Sequence, residues 1–328
     1  MKNDYIADLT RRRKQTEAIK GLYELLFDLG IGSPKHDRYL AVAHRMEECG
    51  TYLAIKRNTE TDKRRLHRAN FCKSRFCPFC SWRKSEKNFV LLNAVLTKAQ
   101  ERDKRLRFIF LTLTIPNVET TSGELSKGIK RLLKAYGNLI HHFFERYCKA
   151  YRGSFRNLEI TINEKDGTLH PHLHALLAVD QSYFNKDSDD FILNDDLEKV
   201  WAKMVGEEQA FTKLKGLKGD MKKSVLELSK YIVKDEQILS DSPDDSASLL
   251  QVLDDAMLGV RTTSYSGVLK KIYSELKDTE LEADQEMFPP LKTVIEVYRW
   301  NGFSDYSLTN SVPFDEYAEP SARIISTP

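Results

Sequence analysis

The most informative segment of the sequence is Leu169-His170-Pro171-His172-Leu173-His174-Ala175-Leu176-Leu177-Ala178-Val179. Three of the chain's eight histidines fall within five residues of this stretch. Side chains alternate between the two faces of a β-strand, so these histidines share one face, while Leu173 and Leu177 point to the other. The pattern predicts a strand with one buried apolar face and a row of imidazoles on the opposite face.

A second strand precedes this one, and the two form a predicted hairpin. Residues 156–163 alternate polar and apolar side chains, and the connecting segment Glu164–Gly167 ends in Asp-Gly, which is typical of hairpin turns. A two-residue turn at this Asp-Gly pair would place Glu159 opposite His174, whereas a four-residue turn would place it opposite His172. Either turn brings a carboxylate next to an imidazole on the polar face. Two imidazoles and one carboxylate with open positions suit a catalytic divalent cation. The alternative to a metal site is a polar sheet face with exposed histidines.

A second chemical pattern lies on a predicted helix. Glu227, Lys230, Tyr231 and Lys234 are spaced i, i+3, i+4 and i+7, so they share one helix face. A phenol has a reference pKa of about 10, and flanking lysines favour the phenolate and can bind phosphate oxygens. The carboxylate one turn away can accept a proton or activate a water. On its own the pattern is more typical of a solvated charged helix, because charged faces with one tyrosine are common. The histidine strand makes the catalytic interpretation stronger.

Cysteines define a third pattern. Cys72, Cys77 and Cys80 are spaced C-x₄-C-x₂-C, and either Cys49 or His67 can supply a fourth ligand for tetrahedral Zn²⁺. The alternative is a set of free cysteines in a surface loop.

The same segment is basic and aromatic. Between residues 63 and 87 lie nine Lys or Arg residues interleaved with three Phe and one Trp, a composition that suits phosphate contact and base stacking. We expect DNA phosphates to contact Arg75, Arg83 and Lys84 here, together with Lys230 and Lys234 on the tyrosine helix.

The composition narrows the function further. The 328 residues have a net charge of only +3, but residues 1–150 carry 31 Lys+Arg against 16 Asp+Glu, and residues 151–328 carry 20 against 32. A basic front half favours a polyanionic partner, although a solvated lysine-rich surface would give the same count. The sequence lacks a P-loop motif, a membrane-length apolar run and a signal-type N-terminus, so we expect a cytoplasmic protein without a membrane partner. Five cysteines in such a compartment do not indicate a disulfide scaffold. We expect the isolated Cys148 to pack as a small hydrophobic residue.

Together these motifs resemble the rolling-circle replication initiators (Rep proteins) of small bacterial plasmids, within the HUH endonuclease superfamily with a single catalytic tyrosine. The matching segments are Phe110–Thr114, the His170–His174 metal motif, the Lys230–Lys234 tyrosine motif, the cysteine segment Phe71–Cys80 and Ser264–Lys271. The resemblance covers about residues 45–280.

The resemblance implies an α+β fold of the HUH type, in which helices flank a central antiparallel sheet of about five strands, preceded by an N-terminal cysteine-rich zinc module. It implies that Tyr231 attacks a DNA phosphodiester, giving a 5′-phosphotyrosine and a free 3′-OH primer, and that Glu227 assists the closing cleavage. Mg²⁺ or Mn²⁺ would be held by His172, His174 and a third ligand. Hairpin geometry favours Glu159 for that position, and His170 competes with it.

The implied partners are plasmid double-strand origin DNA, single-stranded or extruded at the nick, and the bacterial host's helicase and polymerase. A homodimer is one of the assemblies that the resemblance allows. Two alternative functions are a zinc-containing DNA-binding regulator without catalysis and another single-tyrosine HUH enzyme, a relaxase or a transposase. The expected domain organisation is an N-terminal helical region (1–48), a basic zinc module (49–87), a nicking-joining core (105–235), an acidic linker or loop (236–256) and a C-terminal helical region (257–328).

Overall fold

The computed structural model describes residues 4–30, 36–217, 221–229, 232–233, 235–277, 287 and 289–317. Within these residues the chain forms two compact units. Unit 1 comprises Met1–Lys84, Leu239–Ser248 and Glu280–Pro328, and unit 2 comprises Ser85–Ile238 and Leu249–Thr279. None of the helices in the described ranges combines the length and the apolar character that a membrane span requires.

The described residues form both helices and strands. The helices of the described residues are α1 (Asp4–Leu29), α2 (His36–Glu47), α3 (Pro78–Arg102), α4 (Ser122–Asn138), α5 (Glu145–Tyr147), α6 (Asn194–Val205), α7 (Met221–Leu228), α8 (Asp235–Ile238), α9 (Pro243–Ala256) and α10 (Gly267–Leu276). A π-helical turn, Leu139–Phe144, joins α4 to α5. The strands are β1 (Tyr52–Asn58), β2 (Arg64–Ala69), β3 (Leu106–Thr114), β4 (Tyr151–Ile162), β5 (Leu169–Asp180), β6 (Thr212–Gly216), β7 (Thr263–Tyr265), β8 (Thr293–Trp300) and β9 (Tyr306–Pro313).

Unit 2 is built on a five-stranded sheet with the order β6-β3-β5-β4-β7, in which every neighbouring pair is antiparallel. The histidine strand is β5, and it lies at the centre of the sheet. The predicted α+β architecture with an antiparallel sheet is therefore confirmed.

The two faces of this sheet serve different purposes. Leu173 and Leu177 are fully buried on the face that carries α4, where the Tyr136 hydroxyl donates to Ser154 Oγ. The opposite face is covered at one end by an apolar cluster from α3, α7 and α10, which packs on Phe108, Phe155, Leu176 and Ala178. Because β5 side chains alternate, His172 and His174 lie on this second face, next to the apolar cluster.

Unit 1 has its own sheet, with the order β2-β1-β8-β9. The prediction of a C-terminal helical region over 257–328 is wrong for much of its described part, because β8 and β9 form half of this sheet, and β7 joins the sheet of unit 2. Ile295 on β8 is fully buried and packs with Tyr52 and Ala54 of β1. The burial that makes β8 a strand thus comes from residues about 240 positions earlier, which local periodicity cannot reveal.

The predicted acidic linker is also wrong, because Pro243–Ala256 is the helix α9. Pro243 occupies the first helical position, and Asp244 and Asp245 lie in the first turn, where carboxylates favour the helix dipole. Leu250 and Leu253 are fully buried. The acidic residues therefore form the start and the solvent side of an amphipathic helix.

Candidate metal centres and their surroundings

Glu159, His172 and His174 form one group on the polar face of the β4–β5 hairpin. Glu159 pairs with His172 in the strand register, the arrangement expected for the longer of the two predicted turns. Glu159 Oε2 lies 3.5 Å from His172 Nε2 and 3.2 Å from His174 Nε2. One ligand atom from each residue lies within 4.8 Å of the others, so the group could hold a metal ion. The group as defined by these distances does not include His170, whose Nδ1 atom lies 2.8 Å from Asn117 Oδ1.

The outer ring nitrogens of the two histidines have other partners. His172 Nδ1 lies 3.1 Å from the carbonyl oxygen of His170, and because a carbonyl only accepts, Nδ1 must carry the proton. The other ring nitrogen of His172, Nε2, faces Glu159. His174 Nδ1 lies 3.4 Å from Thr112 Oγ1 on β3. Such partners fix the ring orientation of metal-binding histidines. Thr112 was missed at the sequence level, although its alternation with Thr114 on the predicted strand was visible.

The Glu159 carboxylate is buried and electrostatically unusual. Burial alone would raise its pKa, but the contacts with His172 and His174 outweigh burial and lower the pKa to about 2. Among the described residues, Oε2 of Glu159 has no partner with hydrogen-bond geometry, despite its closeness to both rings. A buried carboxylate oxygen that is close to two imidazoles and aligned with neither fits a ligand of a cation lying between the three groups. Burial, and secondarily the charge of His172, lowers the pKa of His170.

The helix α7 brings a second carboxylate to this group. Glu227 Oε1 lies 3.8 Å from His174 Nε2. Val225 and Leu228 of α7 are fully buried in the apolar cluster below the histidines, and this packing holds the helix against the sheet. The sequence pattern did not show that Glu227 and His174 would be neighbours, because they come from elements about 50 residues apart.

Tyr231, Lys230 and Lys234 lie outside the described residues. The described positions on either side are anchored in unit 2: the backbone carbonyl of Ser229 accepts a hydrogen bond from the Ser85 hydroxyl, and the carbonyl of Ile232 accepts one of 2.7 Å from the Ile160 amide.

The four cysteines of unit 1 form the second group that could hold a metal. Sγ of Cys49 lies 3.5 Å from Sγ of Cys77 and 3.5 Å from Sγ of Cys80, and Cys72 Sγ lies 3.5 Å from Cys80 Sγ. A disulfide would require about 2.0 Å, whereas four thiolates around Zn²⁺ at about 2.3 Å lie about 3.8 Å apart. The spacing therefore fits a shared metal.

The surroundings of the thiols favour the thiolate form at Cys77. The backbone amides of Ser74 and Cys80 point at the sulfur atoms of Cys72 and Cys77, at 3.5 Å each. Burial acts to raise the pKa of Cys77, but hydrogen bonds from Cys49 and the other two thiols outweigh it and lower the pKa. The complementary hydrogen bonds raise the pKa of Cys49.

The fourth position of the cluster is taken by Cys49, and His67 is elsewhere. His67 on β2 has its ring 6.0 Å from Phe314 and 5.8 Å from Tyr317, in edge contacts. Cys49 precedes Gly50, whose φ of +77° is in the left-handed region and whose Cα hydrogens lie against the Phe79 ring. A side chain at position 50 would be strained and would crowd that ring.

The basic residues predicted to contact DNA are placed as follows. Arg75 and Arg83 are half-buried, and Lys84 is exposed. Partial desolvation, followed by the positive charge of Arg75, lowers the pKa of Lys84. Positive charges close enough to repel one another favour an anionic ligand near them.

Comparison with known proteins agrees with the motif resemblance. A family model described as "Replication protein" matches residues 63–297. A "Protein rep" of Bacillus amyloliquefaciens is 32% identical over 290 residues, which is 82% of this chain and 82% of that protein. A "Protein rep" of Lentilactobacillus hilgardii is 32% identical over 298 residues, covering 86% and 90% of the two chains. No solved structure matches the chain. Because the family model spans more than half of the chain and these relatives align over most of their length, the chain belongs to the Rep family of plasmid replication initiators.

Proposed function

We propose that this Rep protein starts and ends rolling-circle replication by cutting and rejoining one strand of plasmid origin DNA through a covalent bond to Tyr231. The observation that carries the proposal is the grouping of Glu159, His172 and His174 with Glu227 on one face of a sheet. The Ile232 carbonyl, one residue after the tyrosine, is bound to the amide of Ile160, the neighbour of Glu159.

The donor set fits a divalent cation of the Mg²⁺ or Mn²⁺ class. It comprises one carboxylate oxygen, which has no hydrogen-bond partner among the described residues, and two imidazole nitrogens. The other nitrogen of each ring contacts Thr112 or the His170 carbonyl, and these contacts fix the ring orientations. When bound by Glu159, His172 and His174, such an ion would polarise the scissile phosphate.

In the opening step the phenol oxygen of Tyr231 attacks the scissile phosphorus. A bond forms between phosphorus and the tyrosine oxygen, and the bond between phosphorus and the 3′ oxygen breaks. The phenolic proton passes to a nearby base or to water, and the 3′ oxygen gains a proton to become the free 3′-OH that a host polymerase extends. One phosphodiester replaces another, so the step requires no nucleotide hydrolysis, in agreement with the lack of a P-loop motif in the sequence.

Glu227 has the position required for the closing step. Its carboxylate lies on the metal-site side of α7, four residues before Tyr231. After a round of replication Glu227 would accept a proton from a water whose oxygen bonds to the phosphorus of the regenerated nick site, while the bond from phosphorus to the 3′ oxygen breaks. The released 3′-OH would then attack the phosphotyrosine, so that a phosphodiester closes the circle and the phenol of Tyr231 leaves and regains its proton. Glu227 could alternatively accept the proton of this attacking hydroxyl. This use of water would allow replication to end without a second tyrosine.

The cysteine cluster supports the DNA-binding part of the function. Four thiolates around Zn²⁺ would hold the loop after β2 to the start of α3, which carry Arg75, Arg83 and Lys84. These residues would bind the phosphates of origin DNA. The DNA must be single-stranded or extruded where the tyrosine acts, and a host helicase would then extend the unpaired region.

A covalent-adduct assay tests the proposal. The protein is mixed with Mn²⁺ and single-stranded oligonucleotides tiled across the plasmid origin, and adducts are separated on denaturing gels. We expect an adduct with the 5′-phosphate of the fragment downstream of the cut, lost in Tyr231→Phe, whereas the control Tyr147→Phe, at an exposed tyrosine of α5, keeps it. An undiminished adduct in Tyr231→Phe would contradict the assignment. A protein that binds origin DNA but never forms an adduct would instead be a zinc-containing regulator.

Glu227→Ala separates opening from closing. We expect initial nicking to continue while the release of monomeric circles in a plasmid replication assay falls by about 100-fold or more, the lower end of what general base catalysis contributes. Normal termination in this variant would remove Glu227 from the closing step.

A further inference from the structure

We propose that Phe211, Lys213 and Lys215, here called the basic edge strip, form the track that holds single-stranded DNA as it enters the metal site. The inference adds DNA-binding residues to the proposed nicking function. It rests on that function, because nicking requires single-stranded DNA to reach the metal site. The sequence motifs discussed above include none of these three residues.

Strand register places the strip on the same sheet face as the metal group. Lys213 of β6 pairs with Thr112 of β3, and Thr112 pairs with His174 of β5. Residues directly opposite each other in antiparallel strands point to the same face. The contact between Thr112 Oγ1 and His174 Nδ1 shows that both side chains point to this face. Lys213 is therefore in the row of His174, two strand spacings or about 10 Å away between backbones.

The rows on either side complete the strip. Lys215 pairs with Phe110, whose ring lies 5.5 Å from that of His174. Phe211 continues the ladder beyond β6, since its carbonyl accepts hydrogen bonds from the amide and hydroxyl of Thr114. Thr114 in turn pairs with His172. Each member of the strip thus shares a row with a residue next to the metal group.

All three side chains of the strip face solvent. Phe211 is 56% exposed, and both lysines are exposed. Neither lysine forms an ion pair with any residue that the structure describes, unlike Lys127 and Lys199, which pair with Glu124 and Asp196. Two uncompensated cations and an exposed aromatic ring are the groups that bind phosphates and stack bases in single-stranded DNA sites.

The free edge of β6 does not serve to add another strand. The Asn194 side chain at the start of α6 accepts a hydrogen bond of 3.0 Å from the Leu214 amide and donates one of 3.4 Å to the Thr212 carbonyl. This side chain occupies backbone groups that an incoming strand would need. The strip therefore acts through its face, where two lysines two residues apart can contact successive phosphates and the ring can stack on a base.

Equilibrium binding tests the proposal without depending on cleavage. The probe is a fluorescein-labelled oligo-dT of about 16 nucleotides, the upper site size of common single-strand modules, and all variants carry Tyr231→Phe. Anisotropy is measured over a range of salt concentrations. Lys213→Ala/Lys215→Ala should reduce the slope of log affinity against log salt by about 1.4, because each phosphate contact contributes about 0.7. Phe211→Ala should weaken binding by about 5- to 150-fold, while Phe211→Trp keeps the affinity.

Matched controls make the outcome decisive. Lys130→Ala/Lys134→Ala removes the same charge from exposed positions of α4 on the opposite side of the sheet and should leave the slope unchanged. Lys213→Arg/Lys215→Arg should restore it. Equal slopes in the two alanine pairs, or weakened binding of duplex DNA but not of oligo-dT, would overturn the proposal. Failure of the nicking function would appear separately, as the loss of adduct in protein with an intact Tyr231.

Discussion

At the scale of single residues, the buried Glu159 carboxylate is the most informative group in unit 2. It is 6% exposed, and its charged form depends on the two imidazoles beside it, which lower its pKa to about 2. A depressed carboxylate pKa stabilises the fold above the unfolded value of 4.5, and this contribution disappears as the pH falls towards 2. The carboxylate therefore remains ionised and ready to bind a cation throughout the neutral range.

We predict that Glu159→Gln weakens Mn²⁺ binding by more than about tenfold, because the amide keeps the shape of the carboxylate but loses its charge. Isothermal titration of the zinc-loaded protein with Mn²⁺ measures the affinity. Glu164→Gln, at an exposed position in the turn of the same hairpin, removes the same charge and should bind Mn²⁺ like the unaltered protein. Equal affinities in both variants would show that Glu159 is not a ligand.

The five cysteines differ in chemistry according to their surroundings. Burial raises the pKa of Cys148 to about 11, and the charge of Asp190 adds to this. The thiolate fraction at pH 8 is then about 100-fold lower than for a thiol with a pKa of 9.0. Among the four clustered cysteines, hydrogen bonds from the neighbouring thiols lower the pKa of Cys77 and raise that of Cys49, and a metal bound by all four would protect them.

We predict that iodoacetamide labels none of the five cysteines in the zinc-loaded protein at pH 8, and that a chelator exposes four sites while Cys148 remains unlabelled. Labelling of Cys148 should accelerate about tenfold per pH unit up to pH 11, since the thiolate reacts. Intact-mass spectrometry counts the labels, and elemental analysis should find about one zinc, lost in Cys77→Ser and kept in Cys148→Ser. A folded protein free of zinc would exclude a metal role for the cluster.

At the scale of secondary-structure elements, the start of α10 crosses β4 at very short range. Gly267 has a φ of +56°, and a Cβ there would lie 2.6 Å from the Cα of Gly153 and even closer to the carbonyl oxygen of Arg152. The Ser266 hydroxyl lies 2.8 Å from Ser154 Oγ and 2.9 Å from the Tyr151 hydroxyl at the same crossing. Ser266 and Gly267, which belong to the matching segment Ser264–Lys271, therefore join α10 to the sheet.

We predict that Gly267→Ala lowers the free energy of unfolding by about 3 kcal/mol or more, because the methyl group meets backbone atoms that have no alternative position. Gly137→Ala is the matched control: it lies in α4 with open space around the new methyl group, and should raise the free energy by about 0.5–1 kcal/mol. Urea unfolding followed by circular dichroism gives both values. Similar midpoints for the two variants would exclude the close crossing as the cause.

Local patterns in the sequence predicted some elements and missed others for physical reasons. The β4–β5 hairpin was predictable because polar and apolar residues alternate over 156–163 and 169–174 and a short turn joins the two strands. The helix α9 was missed because its acidic content obscured the spacing of Ala247, Leu250 and Leu253, three of its buried residues. The strand β6 was missed because its five residues, Thr-Lys-Leu-Lys-Gly, form a strand only by pairing with β3.

At the scale of the whole molecule, the opposite charges of the two halves of the sequence do not correspond to the two units. Unit 1 takes the basic N-terminal 84 residues and also segments from the acidic half, including Glu296 on β8. There Glu296 is 5% exposed and lies 2.6 Å from Arg57 and 3.4 Å from Arg64. Part of the acidic half thus neutralises half-buried arginines in the N-terminal sheet, and the net charge of +3 says little about the surface that would contact DNA.

The C-terminal strands also support the cysteine cluster, which leads to a prediction about truncation. β8 pairs with β1 from Tyr52 to Asn58, the hydroxyl of Tyr306 on β9 donates to the carbonyl of Gly50, and the hydroxyls of Tyr52 and Tyr317 lie 2.7 Å apart. Gly50 directly follows Cys49. These contacts join the end of the described chain to the backbone beside one of the four thiols.

We therefore predict that a protein truncated after Lys277 retains less than about half of its zinc, although all four cysteines are present. Loss of β8 leaves an unpaired edge on β1 and exposes the core around Ala54, so the segment that carries Cys49 loses its support. A protein truncated after Tyr317 keeps both strands and should retain one zinc. Elemental analysis after gel filtration measures the metal, and limited proteolysis should cut the shorter protein first near β1. Equal zinc contents in the two proteins would show that the cysteine cluster forms independently of the C-terminal strands.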